Sequence, residues 1–505
     1  MNDKIVVFID LWFLHFGISK FLKEKWDGEI YAILDVEEKA RKFFEKQKIV
    51  NFQKVWYYLD HVSKNAKVDY DYLKKFEERY GISLWNIAFS ERLFYQYNPF
   101  HKFRDFEILS IIEQEIKFYE LILDEIKPDY LALMVPTSHH QQLLFEICKA
   151  RGIRILMLTP VRFANRIMIS EDVNVISGFK GKIIKETKGT KTFEELQSYL
   201  KKYDSSQKID EVKKKGFESH IFERYKAILK FFFSSQTPSF KKRYSGIGKT
   251  RSKYFCIKFS NFFKKKIRTS FINKNFLYKI NSDTPFIYFP LHFEPERVLL
   301  MDNARYYSNQ IAIITNIAKS LLVGYKLLVK EHPAMKIGGW RDISFYKQIM
   351  DLPNVYMVHP SISSEEVIKK CSLLITIAGT SAIEATFYNK PSISFTDQIY
   401  CILPSIHRIK TLEELPFAIK KSLKVKIEPS DLEEYIRLIN ENSFEFNIFG
   451  ISSDFAYRFG LKGAIMDVEL SESKVRQFLK DYSDEFKKLA IEHIKKLSSD
   501  NVVLK

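Results

Sequence analysis

The strongest constraint in this 505-residue sequence is an alternation of short apolar runs with amphipathic helical segments. In the N-terminal part, Lys4–Ile9, Tyr130–Val135 and Ile153–Thr159 are apolar runs, and Glu107–Ile126 is a long amphipathic segment between two of them. Strands that alternate with helices predict a parallel sheet covered on both faces. We therefore predict a Rossmann-like lobe over about residues 1–180.

The same alternation begins again at Pro285. Apolar runs at Phe286–Phe289, Lys326–Val329 and Leu373–Ile377 are separated by helical patterns. They predict a second lobe of the same class over residues 283–425. The whole chain is thus expected to have an α/β fold with two Rossmann-like lobes.

The other parts of the chain have different patterns. Val55–Leu59 and Ser83–Ala88 are additional strand candidates in the first lobe. Residues 181–282 are basic and rich in aromatic side chains, which indicates a helical insertion or linker. Residues 426–505 have a charged, amphipathic pattern, which predicts C-terminal helices.

The charge of the chain is concentrated in one segment. The sequence has 80 Lys and Arg against 62 Asp and Glu, a net charge of +18, and residues 201–280 alone contain 22 basic and 5 acidic residues. Cations interleaved with Phe and Tyr favour an anionic membrane surface as partner. A solvated helical insertion that packs its aromatics on the lobes is the alternative. Nucleic acid is not expected, because no known nucleic-acid module accompanies the charge.

Several function classes are excluded by what the sequence lacks. It contains no run of 18 apolar residues, and its apolar N-terminus is interrupted by charges, which predicts a buried strand rather than a signal peptide. The four cysteines are far apart and have no metal-binding or disulfide pattern. A cytoplasmic protein, peripheral at the inner face of the cell membrane, is the resulting expectation.

Polar residues follow the first strand of the second lobe. His292, Glu294 and Glu296 lie on a short loop stiffened by Pro290 and Pro295. A histidine and carboxylates held in place are suited to acid–base or nucleophilic chemistry, so all three are candidate catalytic residues. A solvated charged turn would have the same sequence.

The next strand ends in Lys330-Glu331-His332-Pro333. A histidine held by a following proline can donate to a phosphate oxygen, and Lys330 can neutralise the phosphate charge. Ligands of open α/β sheets lie beyond the carboxyl ends of the strands, where these residues are expected. Taken alone, a His-Pro pair is most often a simple turn.

A third strand end contains Gly379, Thr380, Ser381 and Glu384. Gly379 allows a close approach of the backbone to a ligand, and a helix that begins at Ser381 offers amides to a phosphate. Ser381 and Glu384 also have the spacing of a capping box, which would explain both residues without any ligand.

Together these segments resemble the capsule polysaccharide biosynthesis family, which includes retaining β-Kdo transferases that use CMP-Kdo. The resemblance covers about residues 285–420 and is weaker over the first lobe. It rests on Phe289-Pro290-Leu291-His292, Pro295-Glu296, Val329-Lys330-Glu331-His332-Pro333-Ala334-Met335, Pro353-Asn354-Val355, Thr376–Ala385 and Asn389-Lys390-Pro391.

The resemblance implies a GT-B-like glycosyltransferase and a role for each motif. His332 with Pro333, Thr380 and Ser381 would contact the donor phosphate, and Glu384 would accept a sugar or ribose hydroxyl. Glu296 matches the family's nucleophile by position, with Glu294 second, although the family has Asp there.

The implied reaction is the transfer, with retention, of Kdo or a related acidic sugar from a CMP donor to a glycan or glycolipid of the capsule or lipopolysaccharide. No cofactor is expected besides this donor. A CDP-polyol phosphotransferase or a sialyltransferase-like enzyme is the alternative. A non-catalytic, membrane-associated relative of transferases is the second alternative.

The first lobe is expected to supply the acceptor side of the site. Asp10 ends the first strand, Glu91 and Arg92 follow the Ser83–Ala88 candidate, and His139 follows Tyr130–Val135. Arg162 follows the next strand and would meet an anionic acceptor. Although His139 and His140 are adjacent, no third ligand has a suitable spacing, so the sequence predicts no metal site.

Overall fold

The computed structural model describes residues 3–10, 12–62, 67–161, 165–176, 189–202, 243–281, 283–301, 304–460 and 469–498. The chain divides into two compact units. Unit 1 consists of Met1–Val173, Asp204–Arg251 and Ser443–Lys505, and unit 2 consists of Asn174–Tyr203 and Ser252–Asn442.

The described residues form strands and helices that alternate along most of the chain. The strands are β1 Lys4–Ile9, β2 Glu29–Leu34, β3 Val55–Tyr57, β4 Tyr130–Met134, β5 Arg154–Pro160, β6 Arg166–Ser170, β7 Phe286–Pro290, β8 Lys326–Lys330, β9 Val355–Val358, β10 Leu373–Thr376, β11 Ser392–Ser394, β12 Ile406–Arg408 and β13 Phe444–Glu445. The helices are α1 Leu14–Lys23, α2 Glu38–Lys46, α3 Tyr70–Tyr80, α4 Leu84–Ser90, α5 Asp105–Ile126, α6 His139–Ala150, α7 Phe193–Lys202, α8 Arg251–Asn275, α9 Arg297–Leu300, α10 Gln310–Ser320, α11 Met335–Gly338, α12 Ile343–Met350, α13 Ser364–Lys370, α14 Ser381–Phe387, α15 Leu415–Ser422, α16 Pro429–Asn442, α17 Ile448–Phe459, α18 Glu472–Asp481 and α19 Ser483–Ser498.

The sheet of unit 1 has the strand order β13-β6-β5-β4-β1-β2-β3. Strands β1 to β5 pair in parallel, whereas β6 and β13 pair antiparallel at one edge. Counted from β3, the order is that of a doubly wound sheet, and its direction reverses between β1 and β4. Ligands of such sheets bind beyond the carboxyl ends of the strands at this switch point.

Strand β1 shows why the unit 1 sheet is covered on both faces. Ile5, Val7 and Ile9 pack in one apolar cluster with α1, α2 and the C-terminal helices, while Val6 and Phe8 pack in a second cluster with α3 to α6. Successive side chains of a strand point to opposite faces, so a continuous apolar run fills two cores.

The sheet of unit 2 repeats this topology. Its order is β12-β11-β10-β7-β8-β9, and every pair in it is parallel. The switch point lies between β7 and β10, so the loops after these two strands are neighbours. The predicted α/β class with two Rossmann-like lobes is confirmed by the two sheets.

One strand prediction is wrong. The stretch Ser83–Ala88 is not a strand but the start of helix α4, and Glu91 and Arg92 therefore follow a helix. Ser83 is the N-cap and its hydroxyl accepts from the amide of Asn86 at 3.5 Å. Leu84, Ile87 and Ala88 are the buried apolar residues, and their spacing is that of one helix face.

The C-terminal part does not form a body of its own. Helix α16 belongs to unit 2, whereas residues 443–505 belong to unit 1. There, Phe455 and Phe478 pack on Phe13, with ring centroids 4.7 and 6.5 Å away. The expected boundaries at 180, 282 and 425 thus differ from those of the compact units, because the chain returns to unit 1 after α16.

Helix α8 forms most of the described part of the basic segment, and residues 203–242 lie outside the described residues. Four phenylalanines and one isoleucine of this helix are each about half exposed or more: Phe255, Phe259, Phe262, Phe263 and Ile267. Among the described helices, none combines the length and the apolar character needed to cross a membrane.

Candidate functional site

The loop after β7 is held by a glutamine of helix α10. The Gln310 side chain accepts from the amide of His292 at 2.8 Å and donates to the His292 carbonyl at 3.3 Å. Gln310 is buried. Because these two bonds fix the loop backbone, the side chains of His292, Glu294 and Glu296 have defined directions.

His292 joins the two loops at the switch point of unit 2. Its Nδ1 lies 3.3 Å from Glu296 Oε2, and its Nε2 lies 3.2 Å from Thr376 Oγ1 and accepts from the amide of Ala378 at 3.3 Å. Since an amide donates to Nε2, the proton of the neutral ring lies on Nδ1 and faces Glu296. His292 is 6% exposed, and its two ring nitrogens connect the Glu296 carboxylate to the turn after β10.

Arg341 is a residue of this site that the sequence did not indicate. It follows no strand and belongs to no motif, but its guanidinium donates to the carbonyl of His292 and pairs with Glu294 at 2.7 Å and with Glu331 at 2.9 Å. Tyr346 also donates to Glu331, at 2.7 Å. Arg341 therefore supports the loop after β7 from inside the unit.

The two candidate carboxylates of this loop have different surroundings. One carboxylate oxygen of Glu294 pairs with Arg341, and the other accepts a hydrogen bond from Gln310. Glu296 has His292 as a partner, and its side chain is 34% exposed. The geometry favours Glu296 over Glu294 as the reactive carboxylate.

His332 is oriented as a hydrogen-bond donor. Its Nδ1 accepts from the amide of Ala334 at 3.2 Å, in the turn that Pro333 begins, so the proton of the neutral ring lies on Nε2. Burial lowers the pKa of His332, although the charge of Glu296 opposes this, and the ring is neutral at pH 7. A neutral ring with an Nε2–H can donate to a phosphate oxygen.

Lys330 is more deeply placed than expected. It is 3% exposed, and its ammonium donates to Ser364 Oγ at 3.3 Å, at the start of helix α13. Burial lowers the pKa of Lys330, against the opposing charge of Glu331. The hydrogen bond from Lys330 to Ser364 thus has a structural role. The positive charge of Lys330 also lies close enough to His332 to lower the pKa of that ring.

The turn after β10 is tight around Gly379. A Cβ at this position would lie 2.7 Å from Thr376 Oγ1, which also accepts from the Gly379 amide at 3.0 Å. Tyr400 donates to the Gly379 carbonyl at 2.9 Å. The turn therefore requires a glycine at this position and is held from both sides.

The capping-box explanation of Ser381 and Glu384 is wrong. Thr380 rather than Ser381 is the N-cap of α14, and the Thr380 hydroxyl donates to Glu384 Oε1 at 3.1 Å. Ser381 Oγ is a buried atom without a hydrogen-bond partner among the described residues. A buried hydroxyl without a partner costs stability, so this arrangement fits a group that binds a ligand.

The acceptor-side candidates of unit 1 are only partly consistent with that role. His139 and Glu91 are buried, at 0% and 3% exposure, and bind each other at 3.0 Å, so neither contacts an acceptor directly. Asp10 ends β1 as predicted, and burial of its carboxyl raises its pKa to about 7. Arg92 is exposed and donates to the Thr137 carbonyl at 3.3 Å. Arg162 lies outside the described residues.

A buried network surrounds His139. Burial lowers its pKa, but the charges and hydrogen bonds of Glu115 and Glu91 outweigh burial and raise the pKa to about 9. Burial raises and His139 lowers the pKa of Glu91, with a net fall to about 2. Glu115 could have been noticed in the sequence as a carboxylate between Ile112 and Ile116, on the apolar side of an amphipathic helix.

Comparison with known proteins shows only distant likeness. No family model and no curated protein matches the chain. Among solved structures, UDP-GlcNAc 2-epimerase from Methanocaldococcus jannaschii is 11% identical, with 87% of this chain and 100% of that chain covered and a TM-score of 0.24. The β-Kdo 2,7 transferase KpsC of Thermosulfurimonas dismutans is 10% identical, with 66% and 87% covered and a TM-score of 0.30. The glycosyltransferase of kitacinnamycin is 10% identical, with 87% and 94% covered and a TM-score of 0.23. These values are too low to indicate what the chain does.

Proposed function

We propose that this protein is a GT-B-like glycosyltransferase that takes an acidic sugar such as Kdo from a CMP donor and transfers it with retention. The main support is the switch point of unit 2. There, His292 links the partly exposed carboxylate of Glu296 to the turn that leads to Ser381, whose hydroxyl has no partner among the described residues. A carboxylate beside phosphate-binding groups is what a double displacement on a nucleotide-sugar requires.

In the proposed reaction, Glu296 attacks the anomeric carbon of the donor sugar. The bond from that carbon to the phosphate oxygen breaks, and CMP leaves with the bonding electrons. An acceptor hydroxyl then attacks the same carbon, loses its proton to water or a base, and releases the Glu296 carboxylate. Two inversions give net retention.

The leaving nucleotide would be stabilised by groups that are already oriented. His332 Nε2–H and Ser381 Oγ–H are neutral donors suited to phosphate oxygens, and Gly379 allows the tight turn that leads to Ser381. Lys330 contributes charge from a buried position. The hydroxyl of a ribose or sugar would compete with Thr380 for Glu384.

A donor panel tests this proposal. The protein is incubated with CMP-Kdo, with a UDP-sugar and with a CDP-polyol, and the release of each nucleotide is measured with and without glycan acceptors. CMP release from CMP-Kdo is expected. Turnover of the UDP-sugar alone would keep a glycosyltransferase but discard the donor, and a phosphorus-containing product would indicate a polyol phosphotransferase. No affinity for any nucleotide would indicate a non-catalytic protein.

We further propose that the protein lies peripherally at the inner face of the cell membrane, bound through helix α8. Phe255, Phe259, Phe262, Phe263 and Ile267 cover an arc of roughly 140° at 100° per residue. Residues 243–281 contain eleven Lys and Arg and no Asp or Glu. An exposed aromatic face on a purely basic helix complements anionic lipids, at about 1 kcal/mol per nearby cation.

Sedimentation with lipid vesicles tests the membrane proposal. The full chain should bind vesicles that contain phosphatidylglycerol and not vesicles of phosphatidylcholine alone. The double variant Phe259→Ser, Phe263→Ser should lose most of this binding. Phe417→Ser, which changes a 67% exposed phenylalanine of helix α15, is the matched control. Equal binding by the double variant and the wild type would exclude α8 as the contact.

A further inference from the structure

The buried network of unit 1 lies where a doubly wound sheet binds its ligands. Asp35 directly follows β2, Tyr58 follows β3, and His139 and His140 begin helix α6 just after β4. Glu115 reaches the same place from helix α5. All five residues are buried, with exposures of 8% or less. Burying so many ionisable groups is unfavourable unless they are paired or bind a cation.

Each of the two histidines uses one ring nitrogen to bind a carboxylate. Nδ1 of His139 lies 3.0 Å from Glu91 Oε2, and Nε2 of His140 lies 3.2 Å from Asp35 Oδ2. Histidines that bind a metal usually donate their other ring N–H to a carboxylate in this way, which fixes the tautomer and the ring orientation.

The remaining nitrogen of each ring is the one a metal would use. Nε2 of His139 lies 3.0 Å from Glu115 Oε1. Nδ1 of His140 is buried without a hydrogen-bond partner among the described residues, and the same holds for Oε2 of Glu115. Glu115, His139 and His140 can each supply one ligand atom, a carboxylate oxygen or a ring nitrogen, such that these atoms lie within 4.8 Å of one another.

The Glu115 carboxylate and the His140 ring are also held in place. Tyr58 donates to Glu115 Oε1 and stacks on the His140 ring with centroids 4.6 Å apart. A ligand that is itself hydrogen-bonded is typical of metal sites. The network thus contains two imidazoles, one carboxylate and an outer partner for each of the three.

We propose that Glu115, His139 and His140 bind one divalent transition-metal ion of the Zn²⁺ type. Two imidazoles and a carboxylate suit this class of ion, whose bonds to nitrogen and oxygen are about 2.0–2.2 Å long. Ligand atoms within 4.8 Å of each other can reach such an ion after small side-chain shifts. The ion replaces the proton between His139 and Glu115, and that proton is released.

The ligands are buried, and three protein ligands leave the fourth position of a tetrahedral ion to a water molecule. His139 and Glu115 are both 0% exposed, and the outer carboxylates are covered in turn. Arg243 donates to Asp35 Oδ1 at 2.7 Å, and Tyr244 donates to Glu91 Oε2 at 3.1 Å. The ion would therefore stabilise unit 1 and the hydrogen bonds that Arg243 and Tyr244 donate to the outer carboxylates. The proposal does not depend on transferase activity.

Metal binding by the full chain tests this site. Protein without a histidine tag is treated with a chelator, dialysed and titrated with Zn²⁺ alone, and Co²⁺ is added in parallel to record its visible absorption. We expect one equivalent of Zn²⁺ per chain, a rise in melting temperature on adding Zn²⁺, and d–d bands of low-coordinate Co²⁺.

Two variants locate the site. Glu115→Gln keeps the shape of the side chain and should weaken Zn²⁺ binding at least about 100-fold. His101→Gln, which changes the His101–Glu107 pair at the start of the same helix, is the matched control and should bind Zn²⁺ like the wild type. If the wild type binds no Zn²⁺ and its melting temperature does not respond, His139 is instead a protonated ring between two carboxylates and the proposal is wrong. Unchanged affinity in folded Glu115→Gln would also overturn it.

Discussion

Units 1 and 2 have the same order of six strands, and each has a histidine beyond the two strands of its switch point. His139 in unit 1 lies between two carboxylates and is fully buried. His292 in unit 2 lies between one carboxylate and the backbone turn after β10. In unit 1, the ionisable side chains at this sheet edge are therefore hydrogen-bonded to each other.

In unit 2, Gln310 and the buried guanidinium of Arg341 hold the loop after β7. Glu296 is a third exposed, and Ser381 Oγ has no hydrogen-bond partner among the described residues. The polar groups at this sheet edge are buried in unit 1, whereas in unit 2 the Glu296 carboxylate is partly exposed to solvent. The proposed function assigns substrate chemistry to unit 2, and the following variants test this assignment.

The largest effect is expected at the carboxylate that unit 2 presents. Glu296→Gln should lower the transfer rate about 10³-fold or more, because the amide cannot form the covalent intermediate. Nucleotide affinity should stay within about twofold. Rates and affinities are measured by nucleotide release and calorimetry with CMP-Kdo.

Glu294→Gln is the matched control, because its amide oxygen can still accept a hydrogen bond from Gln310 or from Arg341. Its rate should stay within about tenfold of the wild type. The opposite pattern, with Glu294→Gln inactive and Glu296→Gln active, would exchange the roles of the two residues.

The next effect concerns the buried ion pairs beneath the unit 2 loop. Arg341→Ala leaves Glu294 and Glu331 without their cation, and breaking a buried pair in this way costs about 3–5 kcal/mol. Urea denaturation of the variant and the wild type, followed by circular dichroism, measures the loss. Arg437→Ala, which removes an exposed pair with Glu434, should leave the free energy of unfolding nearly unchanged. A similar loss in both variants would show that Arg341 has no special structural role.

A pH effect is expected in unit 1, where His15 and His493 are buried. Burial lowers their pKa values to about 3 and about 4, so both rings are neutral when folded and take up protons on unfolding below their ordinary value near 6.5. The contribution of these two rings to stability is therefore complete above about pH 6.5 and falls as the pH decreases towards 4. The loss is about 1.4 kcal/mol per pH unit for each ring at most.

Denaturation curves between pH 7.5 and 4.5 test this effect. His493→Gln should reduce the slope of stability against pH by up to half. A slope that is unchanged in this variant would mean that other groups cause the acid sensitivity.

The smallest effect is expected for a single phosphate contact. Ser381→Ala should weaken CMP binding by about tenfold, since one hydrogen bond to a charged group contributes about 1.5 kcal/mol. Ser320→Ala, which removes a hydroxyl that donates to the Asn316 carbonyl, should bind like the wild type. Equal affinity in both variants would remove Ser381 from the nucleotide site.

The sequence predicts well those parts of the fold that the burial of apolar side chains alone determines. Strands β7 and β8 lie within a residue of their predicted positions, because parallel strands buried on both faces are continuous apolar runs. Ser83–Ala88 was misassigned because a short apolar run does not distinguish a strand from a helix, and the Ser83 cap decided the outcome.

The candidate site was only partly predictable for a related reason. His332 and Ser381 stand at strand ends, so topology alone brings them to the same edge of the sheet. Arg341 and Glu115 come from a loop and from the middle of a helix, and only the packed structure brings them to their partners. The sequence could not show whether Ser381 caps its own helix, because that depends on where the helix begins.

The return of the chain to unit 1 has a consequence for synthesis on the ribosome. Unit 2 is complete once Asn442 has left the exit tunnel, but the core around Phe13 requires Phe455 and Phe478 from the last two described stretches. The lobe that is translated first is thus the one that finishes folding last. Until β13 has been synthesised, the edge of β6 that pairs with it remains open. An unpaired strand edge favours aggregation of the nascent chain during this interval.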